Sequence, residues 1–521
     1  MVLLFKTYFD SLQVTLLLAA GIAFLTSLFF QVRNRENLAI TFLVLTGILV
    51  FSFTALLDPF LNMWDERFHA LVGKNLMNHP LLPTLYDYPI VNMAYDRWDR
   101  YHIWLHKQPL FLWQISLSFM IFGVSEFSLR IPDIILGAIL IYITYRSGKL
   151  LINQRVGYLA GVLIISTFYI LELISGRQEL EHNDISFLAY VSLSIWAFIE
   201  YTFSGKKYWI FLVGAFSGFA ILCKWLVGLL VYAGWAMLKM QRREFKLVAQ
   251  KDIFISLVVT LLVALPWQLL TFCRYPDEAA EAFKLNAIHF SNVLEGHEGS
   301  FWYHFEMLNT IYGTFALILI VPAIATFIIA SKDKKLAVAI LGMTLTVYLF
   351  FSFAATKMPS FTIVVAMIIF LAFASLWDYI FRILSRFNLR AKAVNTIFVV
   401  AVLITVLIRF DIERLQEKHT LWKQSNTYTR MLTHNKQVFK SMQLSNKAVF
   451  FNVKDHHYIE AMFYTGLPAY NFIPTEEQFN DLMRKGRSCA IFRSDNLVLP
   501  EYLKNNPNVL IIEQEIQGYG E

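Results

Sequence analysis

Long apolar runs recur along the chain, and they constrain its fold more than any other feature. Residues 38–57 form one such run, twenty residues without a charge, which is enough for a helix to cross a bilayer. Of the 521 residues, 57% are hydrophobic and only 16% are charged, which lies outside the range of soluble domains. The alternating pattern of an outer-membrane barrel is missing, so the sequence predicts an α-helical polytopic membrane protein.

The charge of each loop indicates the side on which it lies. Lys and Arg gather in short loops, among them 146–155 and 332–335, and such loops stay in the cytoplasm. Residues 109–123 are apolar too, but a crossing there would reverse every later loop. We therefore predict juxtamembrane helices in the first outer loop, with 109–123 lying at the membrane surface. This topology predicts about twelve transmembrane helices and places both chain termini outside. The predicted helices are 12–30, 38–57, 128–150, 156–175, 185–203, 207–223, 226–239, 253–273, 308–330, 336–355, 361–381 and 396–410.

The chain divides into three predicted regions. Residues 1–37 hold an extra transmembrane helix and a cytoplasmic loop, and residues 38–410 form the main transmembrane module. From 411 to 521 the composition becomes polar, and strand-like AVFFNV, SCAIFRS and VLIIEQEI alternate with helix-like YIEAMFYTG and TEEQFNDLMRKG. This pattern predicts a small C-terminal α/β domain on the extracytoplasmic side.

The net charge of +7 does not indicate a nucleic-acid partner. Most of the cations lie in short loops between apolar runs, where they orient the helices. The partner that this composition implies is membrane lipid, and we expect no nucleic acid.

Ionisable residues from distant parts of the chain are predicted to meet at the outer face. Two adjacent acids, Asp65 and Glu66, follow the run 38–57. Lys224 interrupts an apolar stretch, where burying a cation costs about 3 kcal/mol. The candidate site consists of the acids Asp65, Glu66 and Asp184 and the lysines Lys107, Lys224 and Lys357.

Each of these residues also has a simpler structural explanation. The paired acids could cap the helix that follows them, because acids favour a helix N-terminus. A lysine at a helical hairpin could extend its ammonium group to the membrane interface. Function is favoured because all six residues fall on the same predicted side of the membrane.

Histidines in the outer loops give weak support for a metal site. His106 lies at the end of the first outer loop and His289 in a later one, so both are weak candidates as ligands. No HExxH-like pattern accompanies them, and we expect that no metal is required. His456 and His457, in the C-terminal region, are expected to be solvated.

Several ordered motifs between residues 38 and 381 resemble those of a known superfamily. The chain is similar to glycosyltransferases of the C superfamily (GT-C), in particular to the lipid A aminoarabinose transferases and the polyprenyl-phosphate-mannose protein mannosyltransferases. The order and common side of the motifs carry the resemblance. These motifs are WDERFHALVGKNLM, HKQPLFLW, SEFSLRIPDIILG, GRQELEHNDISFL, FAILCKWLVGLL, LPWQLL and FFSFAATKMPSF.

The resemblance implies roles for the candidate residues. Asp65 matches the family's catalytic base or acceptor-orienting acid, with Glu66 beside it and Asp184 as the second acid. The lysines Lys107, Lys224 and Lys357 match positions that hold the donor phosphate. His106 replaces an acid that helps bind a metal in some relatives, so the resemblance gives a metal less support here.

The expected function is transfer of a sugar from a polyprenyl-phosphate donor to an acceptor on the extracytoplasmic face of a bacterial-type inner or plasma membrane. Such a transfer needs carboxylates near the sugar and cations near the departing phosphate. A single displacement would invert the anomeric configuration. The sugar stays open, as does the acceptor, which could be a lipid, a glycan or a protein.

Two other functions fit parts of the pattern. A transporter or flippase of lipid-linked sugars would also carry charges in its membrane region. A ligase or phosphotransferase could use the same lipid carrier. The gathering of polar residues on one face, without a visible inverted repeat, favours the glycosyltransferase.

Overall fold

The fold is built almost entirely from helices. The computed structural model describes residues 9–87, 89–91, 98–178, 182–385, 391–410, 415, 427–494 and 498–518. The α-helices are α1 (Ser11–Val32), α2 (Glu36–Ala55), α3 (Asp65–Asn75), α4 (Pro109–Phe122), α5 (Glu126–Leu151), α6 (Gln154–Ser166), α7 (Phe168–Ile174), α8 (Asp184–Ser204), α9 (Tyr208–Lys224), α10 (Leu230–Gln241), α11 (Lys251–Arg274), α12 (Pro276–Ser291), α13 (Tyr303–Glu306), α14 (Leu308–Tyr312), α15 (Ala316–Ala330), α16 (Lys334–Phe353), α17 (Ala366–Leu384), α18 (Ala391–Arg409), α19 (Thr427–Ser441), α20 (His457–Thr465) and α21 (Glu476–Arg484). Short 3-10 helices occur at Trp98–Arg100, Trp225–Leu229, Leu247–Gln250 and Pro359–Val365.

Many of these helices can span a membrane. Among the described residues, eight helical segments are long and apolar enough, or up to ten if each of two bent pairs is one span. The bends measure 58° between α6 and α7 and 90° between Tyr303–Tyr312 and α15. A multi-pass helical protein is therefore confirmed, while the number of twelve crossings stays a prediction. Helix α4 has 14 residues, fewer than a spanning helix needs, and its place at the membrane surface also stays a prediction.

The apolar stretch from Tyr208 to Gln241, which is a single member of these eight segments, doubles back on itself. Ser217 Oγ in α9 donates a hydrogen bond to the carbonyl of Gly228 at 2.5 Å. Thr260 in α11 contacts both the carbonyl of Gly214 at 3.0 Å and the Tyr232 hydroxyl at 2.6 Å. Ser217 thus lies near Gly228, and Gly214, earlier in α9, lies near Tyr232, later in α10. Helices α9 and α10 are therefore antiparallel and form a hairpin that turns at Lys224.

Burial separates central helices from peripheral ones. The stretch Pro359–Leu384 has 83% of its apolar window buried and α8 has 78%, whereas Leu247–Arg274 has only 22%. The last segment exposes apolar side chains such as Leu262 and Leu269. Lipid tails are as apolar as leucine, so such a surface suits a membrane.

Two buried ion pairs fix the loop before α3. The Arg130 guanidinium donates to the Glu66 carboxylate at 2.7 and 3.1 Å and also to the carbonyls of Ala55 and Asp58. Arg177 makes a two-pronged contact with the Asp58 carboxylate, with both distances 2.8 Å. Glu66 and Arg130 are fully buried, so neither charge can be left alone without a large cost.

A pair of histidines joins α3 to the segment before α8. The Nδ1 atoms of His69 and His182 lie 3.0 Å apart, and the rings stack with centroids 5.3 Å apart. One ring must donate and the other accept, so the contact requires at least one neutral imidazole. Burial lowers the pKa of His182 to about 4, an effect that Arg130 reinforces and Glu66 opposes. Burial also lowers the pKa of His69 well below its ordinary value.

The C-terminal region contains the predicted small sheet. Strands β1 (Ala448–Phe451), β2 (Ser488–Phe492) and β3 (Val509–Ile512) pair in the order β1-β2-β3, and both pairings are parallel. Helices α20 and α21 lie between the first two strands in the sequence, which parallel pairing requires of a crossover. All three strands and both helices match the segments that the sequence predicted.

The expectation that His457 is solvated is wrong. Its side chain is fully buried and contacts the Glu460 carboxylate at 2.9 Å, and Asn435 lies 3.2 Å from its ring. Its neighbour His456 packs on Trp64, with ring centroids 4.6 Å apart. The prediction failed because it treated the C-terminal domain in isolation, whereas this edge of the domain is covered by the membrane module.

The C-terminal domain docks directly on α3. Arg67 Nη2 lies 3.2 Å from the Glu460 carboxylate, and both side chains are buried. Lys436 in α19 reaches the Glu126 carboxylate at the start of α5, at 2.6 Å. Because Arg67 belongs to the same helix as Asp65, the position of the paired acids depends on this domain.

Replacing Glu66 with glutamine should destabilise the protein strongly. The amide keeps the shape of the side chain but leaves the Arg130 charge buried without a counter-charge, at a cost of about 3–5 kcal/mol. Thermal unfolding in detergent measures the effect. Glu513→Gln is the matched control, because its ion pair with Arg493 is exposed and should contribute less than about 1 kcal/mol. An E66Q variant as stable as the control would show that the buried pair does not stabilise the fold.

The protein should lose stability in mild acid. Since the pKa of His182 is about 4 when folded and 6.5 ordinarily, protonation favours the unfolded chain. The contribution is complete above pH 6.5 and is lost as the pH falls toward 4, by up to about 1.4 kcal/mol per pH unit. Unfolding temperatures measured from pH 7.5 to 4.5 test this. A His182→Asn variant should show a shallower pH dependence, and an unchanged slope would contradict the assignment.

Candidate active site

A cavity of about 370 Å³ collects several of the predicted residues. This volume is within the range of small-ligand sites, about 300–1,000 Å³. Its walls come from the segment before α4, from α8, from the hairpin turn after α9, and from α12 and α16. The lining residues are His106, Lys107, Asp184, Phe187, Lys224, Trp225, Leu226, Val227, Phe283, Asn286, Ala287, His289, Phe290, Phe350, Phe351, Ala354, Met358, Ser360 and Phe361.

One carboxylate–lysine pair lies at the hairpin turn. The Lys224 ammonium contacts the Asp184 carboxylate at 2.5 Å, and the acid is almost fully buried while the lysine keeps 25% of its side chain exposed. The Asn183 amide donates to the carbonyl of Cys223 at 3.2 Å, which holds the two segments together. Trp225, the next residue, has φ 67, a conformation uncommon for a bulky side chain. The turn thus presents the lysine to the cavity.

A second carboxylate–lysine pair lies at the start of α3. The Lys107 ammonium is 2.7 Å from the Asp65 carboxylate, and their side chains are 18% and 3% exposed. Asp65 is the first residue of α3, so its charge lies at the favourable end of the helix dipole. Trp64 occupies the capping position with φ 57 and ψ −124, a strained backbone of the kind that clusters at functional sites. Lys107 lines the cavity, and Asp65 lies behind it.

The remaining predicted residues have other partners. Glu66 is held by Arg130, as described above. The Lys357 ammonium donates to the carbonyls of Phe351 and Ser352, at 2.9 and 2.6 Å. These carbonyls end α16, where a cation is favourable. Neither Glu66 nor Lys357 lines the cavity formed by the described residues. Residues 179–181, in the motif GRQELEHNDISFL, lie outside the described residues.

Two histidines whose pKa is lowered face the same cavity. His106 stacks on Trp98, with centroids 4.5 Å apart, and burial, with a smaller effect from Lys107, lowers its pKa well below the ordinary value. His289 Nδ1 lies 2.8 Å from the carbonyl of Leu285, and burial lowers its pKa too. A carbonyl only accepts, so Nδ1 carries the proton and Nε2 is the accepting nitrogen of His289. Across the part of the chain that the structure describes, no group of three or more His, Cys, Asp or Glu is placed to hold a metal ion.

The sequence did not identify several residues that build this region. Arg130 lies in an apolar helix, and the cost of burying its charge is the same signal that identified Lys224. His182 was expected at the outer face beside Asp184, but its contact with His69 was not. Nothing marks His69 or Asn286 in the sequence, because their importance depends on contacts between distant segments. The phenylalanines that line the cavity belong to a chain that is rich in aromatic residues throughout, so the sequence could not distinguish them from the others.

The arrangement can bind an anion that carries an apolar chain. The two ammonium groups are charge-assisted donors suited to a phosphate, and phenylalanines 187, 290, 350, 351 and 361 supply an apolar wall. The Lys224 ammonium also lies 5.7 Å from the centroid of the Phe361 ring. Because each lysine contacts a carboxylate, acidic and basic groups meet at the cavity edge.

A family model matches part of the chain. Residues 106–269 match dolichyl-phosphate-mannose-protein mannosyltransferase. This segment begins just before Lys107 and includes Asp184 and Lys224.

Curated relatives match over similar lengths. An uncharacterized protein of Aquifex aeolicus is 26% identical over 46% of this chain and 45% of its own length. An undecaprenyl phosphate-alpha-4-amino-4-deoxy-L-arabinose arabinosyl transferase of Pseudomonas aeruginosa is 27% identical over 38% of this chain and 36% of its own length. The chain thus spans less than half of these relatives.

Solved structures share the fold. ArnT from Cupriavidus metallidurans, bound to undecaprenyl phosphate, aligns with a TM-score of 0.59 and 15% identity over 85% of this chain and 88% of that one. The Archaeoglobus fulgidus oligosaccharyltransferase, in complex with Zn and sulfate, aligns with a TM-score of 0.52 and 14% identity over 83% and 62%. Sequence segments and fold agree, and they confirm that this membrane protein resembles the C-superfamily glycosyltransferases, with similarity to aminoarabinose transferases and to protein mannosyltransferases.

Proposed function

We propose that this protein is a membrane glycosyltransferase that moves a sugar from a polyprenyl-phosphate donor to an acceptor on the extracytoplasmic face. The cavity with Lys107 and Lys224 is the proposed donor site, in a bacterial-type inner or plasma membrane. The basic loops support this orientation, because they favour the cytoplasmic side. The transmembrane module 38–410 carries the reaction in this proposal, and the domain 411–521 lies outside the membrane.

The observation that carries the proposal is the pairing of two lysines with two acids at one cavity. Lys107 contacts Asp65 and Lys224 contacts Asp184, although the four residues come from separate parts of the sequence. During glycosyl transfer the anomeric carbon becomes positive and the leaving phosphate becomes negative. The acids of the site can compensate the first charge and the lysines the second. The solved ArnT binds undecaprenyl phosphate, which supports a polyprenyl phosphate as the donor carrier.

The lysines are proposed to bind the donor phosphate and stabilise it as it leaves. Each ammonium has three donor protons, so it can keep its carboxylate contact and still donate to a phosphate oxygen. The aromatic wall would contact the first part of the polyprenyl chain. As the bond between the anomeric carbon and the phosphate oxygen breaks, its electron pair stays on the phosphate, where both cations compensate the charge.

Asp65 is proposed to accept the acceptor's proton. The acceptor oxygen forms its bond to the anomeric carbon while its hydroxyl proton moves to the carboxylate, a transfer that contributes roughly 10²- to 10⁴-fold in rate. A phosphate that shares the Lys107 ammonium with Asp65 weakens the contact between Lys107 and Asp65 without breaking it. Donor binding would therefore make the Asp65 carboxylate more available as a base. One displacement inverts the anomeric configuration.

The other predicted residues have narrower proposed roles. Asp184 holds Lys224 and supplies negative charge near the sugar. Glu66 positions α3 through its contact with Arg130, and Lys357 serves the donor phosphate only if its ammonium leaves the α16 carbonyls. No cofactor is required in this mechanism. The acceptor is a lipid, a glycan or a protein.

Asp65→Asn should abolish transfer while the donor still binds. The amide cannot take the proton, so the rate should fall by at least roughly 100-fold. A purified-enzyme assay with radiolabelled polyprenyl-phosphate sugar and envelope acceptors measures the product, and thermal unfolding checks the fold. Glu513→Gln is the control at an exposed site. Near-normal turnover by D65N would remove Asp65 from the mechanism.

Lys224→Ala and Lys107→Ala should weaken donor binding. Each loses a charge-assisted contact, which is worth about 1.5–3 kcal/mol, or roughly 10- to 100-fold in donor affinity. Lys357→Ala is a matched variant from a neighbouring turn. If only K107A and K224A bind the donor weakly, the phosphate site consists of these two lysines. Wild-type donor affinity in both variants would contradict the proposed site.

The same donor separates this proposal from a flippase. In sealed vesicles a flippase moves the label across the bilayer and forms no new product, whereas a glycosyltransferase forms a new covalent product without net transport. Analysis of the anomeric configuration of that product tests inversion.

A further inference from the structure

A second cavity, of about 430 Å³, lies away from the proposed donor site. It is lined by residues of α6, α7, α14, α15, α17 and α18, and it shares no lining residue with the first cavity. The 90° bend between Tyr303–Tyr312 and α15 creates the space. The proposed reaction makes no use of it.

A half-buried arginine lines the polar end of this cavity. The Arg409 guanidinium donates to the carbonyl of Tyr312 at 2.6 Å, to Thr167 Oγ1 at 2.7 Å and to Ser166 Oγ at 3.3 Å. A Cβ on Gly313, which has φ +111, would come within 2.9 Å of Arg409 Nη1. A glycine at this position therefore lets the guanidinium reach the bend.

The cation lacks an acidic partner in the described part of the chain. No Asp or Glu there is recorded within 4.0 Å of Arg409, unlike Arg67, Arg130 and Arg177, which each contact a carboxylate. Three of its five N–H groups are used, which leaves two for a ligand. A guanidinium in apolar surroundings is costly unless an anion compensates it, and its fork matches the oxygens of a phosphate.

The other walls of the cavity are apolar and open toward the outside of the bundle. Phe315 and Ile408 line it and are 67% and 76% exposed. Ser166 also lines an adjacent apolar cavity of about 270 Å³ between α1, α2, α6 and α18. A ligand with a phosphate head and a long apolar chain would place the head at Arg409 and the chain along these surfaces.

We propose that this second cavity, with Arg409 at its polar end, binds the phosphate group of an anionic membrane lipid. A phospholipid and a polyprenyl phosphate offer the same chemistry to the guanidinium. The site is separate from the cavity of Lys107 and Lys224, and its occupation does not depend on the proposed reaction.

Native mass spectrometry of the full chain in detergent tests the proposal, by titration with phosphatidylglycerol, phosphatidylcholine or undecaprenyl phosphate. Arg409→Gln should lower phosphatidylglycerol affinity at least roughly 10-fold, while phosphatidylcholine should bind the wild-type protein weakly. Arg493→Gln, at an exposed ion pair outside both cavities, is the matched control and should keep the wild-type affinity for phosphatidylglycerol. Undecaprenyl phosphate is also titrated into K224A and into the double variant K224A/R409Q. If it binds the first variant but not the second, it occupies the cavity at Arg409, and polyprenyl phosphate is a second source of the phosphate.

A second variant, which fills the cavity, separates loss of the lipid site from misfolding of R409Q. Leu319 lines the cavity and is 39% exposed, so Leu319→Trp should fold, leave Arg409 intact and show the same loss of phosphatidylglycerol. Wild-type phosphatidylglycerol affinity in either R409Q or L319W would overturn the proposal. So would equal binding of phosphatidylcholine, or a loss in R493Q as large as in R409Q.

Discussion

A lysine or arginine in an apolar environment needs an anion, and this requirement organises the molecule. Arg130 obtains its anion from Glu66, in the first turn of α3, and Arg177 from Asp58, in the loop before α3. Both pairs thereby fix this segment to the helical bundle. Lys107 and Lys224 obtain theirs from Asp65 and Asp184 at the edge of a cavity. The first two pairs are fully enclosed and are structural. In the second two pairs the lysine remains partly accessible. An anionic substrate could therefore also compensate the charge of that lysine.

The fold was largely predictable because membrane insertion leaves a strong pattern in the sequence. A run without charge, such as 38–57, can hardly be anything but a helix in lipid. The strands and helices of the C-terminal domain were also predictable from the period of their apolar residues. The number of crossings was harder, because bends such as that between α14 and α15 divide an apolar run without changing its composition.

The site was predictable in part. Lys107, Asp184 and Lys224 could be grouped because charges are rare in this chain and the positive-inside rule places them together. The partner of each charge could not be predicted, since it depends on distances between helices. Glu66 and Lys357 illustrate this limit. Both have the residue type and predicted side that a site requires, but the nearest opposite charge or carbonyl lies elsewhere. The prediction that His457 is solvated failed for the same reason, because the neighbouring sequence does not show whether a residue is buried at a domain boundary.

The contact between Arg67 and Glu460 has a consequence for how this architecture can be rebuilt. The helix that begins with Asp65 is attached on one side to the bundle and on the other to the C-terminal domain. A chimera that exchanges this domain with that of a relative would therefore also exchange one support of the acidic helix. For such a hybrid to be functional, the acid on the incoming domain must face the arginine two residues beyond Asp65, so the two positions have to be transplanted together.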